Sequence, residues 1–535
     1  MKKEDSYFRT LSKQELWQRY CGFLDLSVDQ FINIQQDLLM DQMKRVGGTV
    51  LGKKILGDQP PKSVEEFRER IPLTKYEDYE PYLSEQDESA LAEKPGDWCH
   101  SSGKGGHFKW MPYTNDFLEV IARRCITGLI LGSCNTKGEV NIAPGVRLLI
   151  IFPPPPYTSG VIYRNLDQKF SFRSMPPQTA SIEMDFQQRV QVGFEMALKE
   201  GIDCISSLAS VLVNAGKKFS GQTEGSKFNW SMLHPYILPR LLKAKLASAM
   251  RKGPTLPRDI WPLRGVVTGG VDVRIYEKDI KYYWGVQPHE IYGATELGGM
   301  VASQSWTRQG LNFFPDVAFL EFLPCSHGQA AGNETGKQAP TVLLNEVEEG
   351  KCYELVISHL YGMPLFRYRM GDVLKVAALK DDKAGVNLPQ FVFERRLGET
   401  INIGALADLD EKTIWKAITN TGVSYNDWTA RKEYDHNQSF AHIYIETSES
   451  NRSVDELAIA LDEQLRLIDT DYKDIDSYLN IRPIRVTFLS PGTFKLYIDE
   501  KMKEGADLAH LKPSHMNAPD EAMKHLLELD RGKKK

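Results

Sequence analysis

A run of small, hydroxyl-bearing and basic residues lies between positions 101 and 109. It reads Ser101-Ser-Gly-Lys-Gly-Gly-His-Phe-Lys109. Glycines let a backbone approach a ligand and turn its N–H groups toward it, while hydroxyls and lysines add donors and positive charge, which suits phosphate. The Walker pattern G-x-x-x-x-G-K-[ST] is absent. The run therefore predicts a phosphate loop of another type, with a ligand-free surface turn as the alternative.

A second segment combines an aromatic ring, a hydroxyl and a carboxylate within a glycine-rich stretch. It reads Ile291-Tyr-Gly-Ala-Thr-Glu-Leu-Gly-Gly-Met300. Tyr292 is suited to stacking on a base, Thr295 to binding phosphate, and Glu296 to holding a hard cation such as Mg²⁺ through oxygen. The alternative is a glycine-rich turn between a strand and a helix.

The third segment is Pro364-Leu-Phe-Arg-Tyr-Arg-Met-Gly-Asp372. An acidic residue placed like Asp372, after a glycine and just before a strand, can accept both hydroxyls of a ribose, as in dinucleotide-binding folds. The alternative is a β-turn aspartate that hydrogen-bonds its own backbone.

Short apolar strands must position these three segments. The candidates are residues 146–152, 264–268, 353–357 and 373–376, the last of which follows a turn at Gly371-Asp372. Helical stretches separate them, and strands interleaved with helices predict an α/β architecture of mixed sheets and helices.

The chain after the polar loop at 380–389 has the pattern of a separate, small α+β domain. It contains a strand at 441–446, a helix with an apolar face from Val454 to Ile468, and a strand at 484–488. The predicted boundary lies near Arg396, which gives a large domain at 1–395 and a small one at 396–535, a length that suits one ordinary domain.

Composition excludes several classes of protein. The 535 residues are 41% hydrophobic and 26% charged with a net charge of −5, so neither wholesale disorder nor a polybasic nucleic-acid or membrane binder is expected. The seven scattered cysteines form no C-x-x-C pair, which favours a reducing compartment. We found neither a signal peptide nor an apolar run long enough for a membrane helix, and expect a cytoplasmic protein.

The three segments, in this order and spacing, resemble the signatures of the adenylate-forming superfamily, which includes acyl-CoA synthetases, luciferases and peptide-synthetase adenylation domains. The finer resemblance is to the auxin-conjugating acyl-acid amido synthetases of plants and their bacterial relatives, and it spans about residues 65 to 515. The matching stretches are Pro72-Leu-Thr-Lys-Tyr-Glu-Asp78, Ser101-Ser-Gly-Lys-Gly-Gly-His-Phe-Lys-Trp-Met-Pro112, Trp261-Pro262, Thr268-Gly269, Phe366-Arg-Tyr-Arg-Met-Gly-Asp372, Gly492-Thr-Phe494 and His510-Leu-Lys-Pro513.

The resemblance implies ATP and Mg²⁺ as cofactors and a role for each matching residue. Glu296 would ligate Mg²⁺, Asp372 would hold the ribose, and Arg396 would lie at the hinge between the domains. The other implied nucleotide-binding residues are Ser101, Ser102, Gly103 and Lys104 at the phosphates, Gly269, Gly270 and Tyr292 at the adenine, and Gly293, Ala294 and Thr295 beside them.

The resemblance also implies that the small domain is mobile and brings a lysine to the α-phosphate. We assign this role to Lys512, with Lys412 as a second phosphate-reaching lysine. Lys495 is a rival, because it follows Gly492-Thr-Phe494 in an expected β-turn. Without the family pattern, each of these lysines would be interpreted as a solvated surface charge.

The chain departs from the family pattern at the phosphate loop, which is one residue shorter and has Lys104 in place of Thr-Ser. The expected function is ATP-dependent adenylation of a carboxylic acid, followed by acyl transfer to the amine of an amino acid. Transfer to coenzyme A is the first alternative. The second alternative, suggested by the altered loop, is a degenerate protein that binds a nucleotide or acyl ligand without turnover.

Overall fold

The computed structural model describes most of the chain. The described residues are 1–100, 109–184, 186–220, 237–269, 273–326, 329–330, 339–396, 400–403, 407–435, 438–447, 452–473, 483–503 and 513–534. The chain forms two compact units. The larger comprises Met1–Pro324, Ala331–Met370 and Leu374–Glu394, and the smaller comprises Cys325–Ala330, Gly371–Val373 and Arg395–Lys535.

Serine caps define the starts of several helices. Ser12, Ser27 and Ser453 each accept from the backbone N–H three residues on, and the residue there reaches back to the cap. The corresponding box at Ser63 is half formed, because the Glu66 carboxylate accepts from Lys62 N instead of Ser63 N. The helices are α1 (Lys3–Thr10), α2 (Lys13–Cys21), α3 (Val28–Val46), α4 (Val50–Leu56), α5 (Val64–Arg70), α6 (Asn115–Ser133), α7 (Thr158–Lys169), α8 (Gln178–Ser181), α9 (Phe186–Glu200), α10 (Ala209–Phe219), α11 (Leu238–Arg251), α12 (Pro257–Ile260), α13 (Glu277–Trp284), α14 (Glu411–Asn420), α15 (Val454–Ile468), α16 (Thr470–Lys473), α17 (Thr493–Lys503) and α18 (Asp520–Lys534).

Within the described residues, twelve strands form one sheet in the order β11-β10-β12-β13-β14-β9-β8-β7-β6-β5-β3-β4. The strands are β1 (Asp97–His100), β2 (Trp110–Tyr113), β3 (Val146–Ile151), β4 (Phe172–Met175), β5 (Cys204–Leu208), β6 (Gly265–Gly269), β7 (His289–Tyr292), β8 (Ala302–Gln304), β9 (Leu311–Phe313), β10 (Phe319–Ser326), β11 (Gln329–Ala330), β12 (Cys352–Ser358), β13 (Tyr368–Ala378), β14 (Gln390–Arg396), β15 (Ile401–Ile403), β16 (Ala407–Leu409), β17 (Asp427–Asp435), β18 (Gln438–Glu446) and β19 (Ile484–Leu489).

The sheet changes character at β7. From β4 through β3, β5 and β6 to β7 the neighbouring strands are parallel, with helices in the connections. On its other side β7 pairs antiparallel with β8, and β8 pairs antiparallel with β9. The connection after β7 therefore leaves the carboxyl edge of the parallel half, which is the edge at which open α/β sheets bind ligands.

The helix α6 lies very close to the sheet at the start of β6. A Cβ on Gly265, in β6, would come 2.3 Å from the Gly132 carbonyl oxygen, so only glycine allows this approach of two backbones. The helix is buried along most of its length and belongs to the main apolar core. A separate apolar cluster lies around Trp261 and Trp284, which stack with ring centroids 6.2 Å apart.

The smaller unit contains a three-stranded sheet in which β18 lies between β17 and β19, antiparallel to the first and parallel to the second. Leu457, Leu461 and Leu465 of α15 are buried in its core. The predicted helix is therefore confirmed over 454–468, but Val454, which we placed on the apolar face, is 36% exposed because it stands at the first turn.

The other predicted strands are confirmed with one difference. The strand expected at 373–376 begins at Tyr368 and runs through Gly371-Asp372 without a break, because Gly371 adopts a φ of +73° inside the strand. The seven cysteines are free thiols: Cys325 and Cys352 are half-buried, and Cys21, Cys99, Cys125, Cys134 and Cys204 are buried. In the part of the chain that the structure describes, no helix is both long enough and apolar enough to cross a membrane.

Candidate functional site

Residues 293–300, which connect β7 to β8, form a compact turn that we call the Glu296 turn. A single 3₁₀ turn spans Thr295–Leu297 at its centre. Two backbone hydrogen bonds close it, from Gly299 N to Ala294 O at 2.9 Å and from Val301 N to Tyr292 O at 2.8 Å. Main-chain hydrogen bonds thus close the turn on itself.

Glycine is required at three positions of the turn. A Cβ on Gly293 would lie 2.2 Å from the Gly299 carbonyl carbon, so the two ends of the turn touch backbone to backbone. Gly298 and Gly299 adopt φ values of +62° and +74°, a region that L side chains avoid. The glycines that drew attention in the sequence therefore shape the turn rather than loosen it.

Two residues from other segments hold Thr295. The Tyr113 hydroxyl donates to Thr295 O, and the Thr158 hydroxyl donates to Thr295 Oγ1 at 2.9 Å. Burial raises the pKa of Tyr113 well above its ordinary value, which keeps its phenol protonated as a donor. Thr295 was predicted to bind phosphate; its hydroxyl accepts from Thr158 and retains its own proton for donation.

Glu296 itself is buried, with 5% of its surface exposed. Its Oε1 accepts from the Tyr368 hydroxyl at 3.4 Å, and its main-chain carbonyl lies 2.6 Å from His359 Nε2. Within the described part of the chain this carboxylate accepts one long side-chain hydrogen bond, which leaves it lone pairs for a cation or a donor.

Lys109, the last residue of the predicted phosphate loop, belongs to the same group. Its Nζ donates to the Tyr368 hydroxyl at 3.2 Å and lies 5.6 and 5.9 Å from the ring centroids of Tyr76 and Tyr368. An ammonium over the faces of two aromatic rings is stabilised by cation–π attraction. Lys109, Tyr368 and Glu296 therefore form one chain of polar groups, which the sequence did not reveal because the three come from distant segments.

Tyr292 and Gly269 stand at the carboxyl ends of the adjacent parallel strands β7 and β6. The Tyr292 ring lies against Phe313 and Phe393 with centroids 6.5 and 6.3 Å apart, and the residue is 8% exposed. A Cβ on Gly269 would come 3.1 Å from Ile291 O, which leaves little room for a side chain between the two strands. Tyr292 and Gly269 are thus neighbours at the edge where the Glu296 turn begins.

Asp372 belongs to the smaller unit and is 4% exposed. It follows Gly371, which has a left-handed φ that favours glycine. A Cβ at this position would meet no atom within 4 Å, so space does not demand a glycine here. The glycine therefore serves backbone conformation, and it sets the direction of the strand at Asp372.

Lys412 and Lys495 both stand in the first turn of a helix of the smaller unit. Lys412 is half-buried in α14, whose N-cap Asp410 accepts from Thr413 N at 2.7 Å. Lys495 is exposed in α17, so its expected β-turn is wrong: the Pro491-Gly492 turn starts a helix at Thr493 instead. Six predicted site residues lie outside the described residues, as does the side chain of Arg396; the six are Ser101, Ser102, Gly103, Lys104, Gly270 and Lys512.

The Glu296 carboxylate of the larger unit is suited to holding one hard cation that a bound ligand also coordinates. The described residues contain no group of three or more His, Cys, Asp or Glu side chains that could hold a metal alone. Mg²⁺ commonly binds through one or two carboxylates, with phosphate oxygens and waters completing its shell. The buried oxygens of Glu296 fit that limited role.

Three family descriptions match successive parts of the chain. Residues 22–213 match the GH3 family N-terminal domain, 311–396 the GH3 family central domain, and 411–520 the GH3 family C-terminal domain. The three matches together cover most of the chain in the order of the family.

Curated relatives include a jasmonoyl–L-amino acid synthetase GH3.5 of Oryza sativa subsp. japonica, 29% identical over 50% of this chain. The match spans about half the length of that relative, 48%. The jasmonoyl–L-amino acid synthetase JAR4 of Nicotiana attenuata is 22% identical, and the match covers 85% of each chain.

Solved structures show the same fold. An AtGH3.15 acyl acid amido synthetase in complex with 2,4-DB aligns over 97% of each chain with a TM-score of 0.69 and 18% identity. A 2-hydroxyisobutyryl-CoA ligase in its postadenylation state aligns over 94% of this chain and 92% of its own with a TM-score of 0.58 and 12% identity. At these identities the likeness concerns the fold.

Proposed function

The chain belongs to the GH3 family, and on that premise we propose that it is an ATP-dependent acyl-acid amido synthetase. In the first step, a carboxylate oxygen attacks the α-phosphorus of ATP, giving acyl-AMP and pyrophosphate. In the second, an amino-acid amine attacks the acyl carbon, a C–N bond forms and AMP leaves. The observation that carries the proposal is the buried Glu296 turn at the parallel-to-antiparallel switch of the sheet.

The roles of the site residues follow the segments in which they lie. We assign Tyr292 with Gly269 and Gly270 to the adenine, Gly293, Ala294 and Thr295 to the edge beside it, and Asp372 to the ribose hydroxyls. The phosphates would meet Ser101, Ser102, Gly103 and Lys104. The neighbouring positions of Gly269 and Tyr292 at the ends of β6 and β7 support the adenine assignment.

Glu296 would hold Mg²⁺ alongside the phosphates. When bound, Mg²⁺ supplies positive charge that offsets the charge on the transferring phosphate oxygens. The Tyr368 hydroxyl orients the Glu296 carboxylate, and Lys109 donates to that hydroxyl, which places a positive charge one hydrogen bond away from the carboxylate's partner. These groups are positioned before the ligand arrives, as electrostatic stabilisation requires.

We propose further that residues 396–535 act as a mobile lid on a domain formed by residues 1–395, with Arg396 at the hinge. Lys512 would reach the α-phosphate during adenylation, and Lys412 would be a second phosphate-reaching lysine. Closure would exclude water and protect the acyl-AMP from hydrolysis. The free thiols suit a reducing compartment, and we place the protein in the cytoplasm.

The test is ATP–pyrophosphate exchange with Mg²⁺ across a panel of aryl and fatty acids. We expect exchange stimulated by at least one acid, and a loss of about 100-fold or more in Glu296→Gln, since the change removes the charge and keeps the shape. Glu349→Gln is the matched control: this glutamate is exposed, and its exchange rate should stay within about twofold of the parent.

Two outcomes would contradict the proposal. Folded protein that binds ATP and exchanges with no acid would be a degenerate binding protein. Exchange followed by a product whose mass is that of an acyl-CoA, with none of an amide, would assign the acceptor to coenzyme A. Product mass with mixed amino acids and coenzyme A present decides between the two acceptors.

A further inference from the structure

A histidine beside the Glu296 turn has no role in the proposed function so far. His359 directly follows β12 and is 1% exposed. Two hydrogen bonds join it to Leu365. His359 N donates to Leu365 O at 2.7 Å, and Leu365 N donates to His359 Nδ1 at 3.1 Å. We call residues 359–365 the 359–365 loop.

These contacts determine where the imidazole carries its proton. Nδ1 accepts from a backbone N–H, so the neutral ring must carry its proton on Nε2. That Nε2–H then donates to the main-chain carbonyl of Glu296 at 2.6 Å. Burial lowers the pKa of His359 to about 4, which agrees with a neutral ring.

The 359–365 loop is itself firmly held from its far side. The amide of the buried Gln42 accepts from Gly362 N at 2.6 Å and donates to Met363 O at 2.6 Å. The Thr114 hydroxyl donates to Tyr361 O at 2.7 Å. The imidazole therefore links the helix α3 and the start of α6 to the main chain of the Glu296 turn.

Among the described residues, His359 is the donor that satisfies the Glu296 carbonyl. The peptide plane at this carbonyl fixes the backbone of Glu296 and hence the direction in which its carboxylate leaves the turn. Without the donor, a buried carbonyl would be left unsatisfied, and the turn would shift to find a partner.

We infer that His359 is a positioning residue for adenylation, which acts by fixing the carboxylate of Glu296. The inference rests on the proposed function, since it concerns the same site. His359 touches no reacting atom: it donates one hydrogen bond to the backbone of the residue that would hold the cation. Two conservative variants separate this role from a purely structural one.

Each variant can keep one of the two side-chain hydrogen bonds of His359 and loses the other. In His359→Asn, the side-chain oxygen can replace Nδ1 as acceptor from Leu365 N, but the amide is too short to reach Glu296 O. In His359→Gln, the longer amide reaches Glu296 O as a donor. Asn should therefore keep the loop closed and lose the link to the site, whereas Gln should restore the link.

ATP–pyrophosphate exchange assays on variants of the full chain test this pattern. With its best acid, we expect His359→Asn to lower kcat by about tenfold, the rate equivalent of one lost hydrogen bond, with the KM for ATP within about twofold. His359→Gln should recover most of the rate. His289→Gln is the matched control, because His289 is equally buried but bonds Ser303 Oγ at 2.8 Å; it should lower the melting temperature and leave kcat within about twofold.

Three results would overturn the inference. One is a His359→Asn variant with the parent kcat. Another is an equal loss in the Asn and Gln variants that follows their melting temperatures, which would mean that His359 only supports the fold. If the parent protein exchanges with no acid, the proposed function fails and the inference falls with it; exchange by the parent with no effect of the variants refutes the inference alone.

Discussion

The Glu296 turn and the Lys495 turn, which comprises residues 491–495, carry charged residues in opposite ways. In the first, the charged residue is 5% exposed, and Tyr113, Thr158 and His359 bind the turn from three other segments. In the second, the backbone is held just as firmly, because Glu446 accepts from Gly492 N at 2.8 Å and from Phe494 N at 2.7 Å, yet the Lys495 side chain is exposed.

The difference separates two means of bringing charge to a reaction. A buried carboxylate in a rigid turn offers fixed geometry, which suits a metal ion that demands near-ideal coordination. An exposed lysine on a fixed backbone offers a long flexible side chain that can adopt several directions. Rigid placement is thus evidence of a site role for Glu296 and gives none for Lys495.

The largest expected effect concerns the two lysines that compete for the role at the α-phosphate, Lys512 and Lys495. We expect Lys512→Ala to lower ATP–pyrophosphate exchange by about 100-fold or more, because it removes the charge proposed to meet the α-phosphate. Lys495→Ala should stay within about twofold. The two variants should be assayed at equal ATP and acid; a larger loss in Lys495→Ala would exchange the roles of the two residues.

The next effect breaks the Glu296 turn through its backbone. Gly293→Ala places a methyl group 2.2 Å from the Gly299 carbonyl carbon, so we expect a loss of about 3 kcal/mol in the free energy of unfolding and a fall in exchange. Gly48→Ala is the control, since no atom lies within 4 Å of its Cβ. Urea denaturation measures both, and equal stability of the two variants would contradict the close approach.

A smaller effect is expected where Glu446 holds the Lys495 turn. Glu446→Gln replaces one carboxylate oxygen by an amide that cannot accept, so we expect a loss of about 2 kcal/mol in stability by urea denaturation. Glu456→Gln is matched to it, because Glu456 closes the capping box of Ser453, where glutamine serves equally well. If both variants kept the parent stability, the two backbone hydrogen bonds would contribute nothing.

Acid should weaken the link between His359 and the Glu296 turn. The folded-state pKa of about 4 lies below the ordinary value of 6.5, so the unfolded chain binds more protons between these values and stability falls as pH is lowered. Between pH 7 and pH 5 we expect a loss of about 2 kcal/mol from this residue. Urea denaturation of the parent and of His359→Asn should show the smaller pH dependence in the variant; parallel profiles would contradict the assignment.

Much of the fold was predictable from local patterns. Apolar runs and helical periodicity gave β3, β6, β12, β18 and α15 within a few residues, because each element is specified by its own sequence. The Glu296 turn was also marked locally by its glycines. The start of α17 was missed because Pro-Gly followed by a threonine is as typical of a helix start as of a β-turn.

The remainder of the site depends on contacts between distant segments. Lys109, Tyr368 and Glu296 meet only after the sheet has formed, and His359 reaches the Glu296 carbonyl from 63 positions along the chain. No periodicity or spacing encodes such a meeting. A histidine two residues after a predicted apolar strand was the one local signal, and it does not identify the group that the ring binds.

Because most of the cysteines are buried, their reaction with a thiol reagent can be used to follow unfolding. Burial raises the pKa of Cys125, Cys134 and Cys204 to about 12, so almost no thiolate is present at neutral pH in the folded chain. A thiol reagent should therefore modify the half-buried Cys325 and Cys352 first and the others only as the larger unit opens. No cysteine follows Cys352 in the sequence. A single cysteine introduced at an exposed position of residues 396–535 would therefore be the only thiol of that region, and no native cysteine there would have to be replaced.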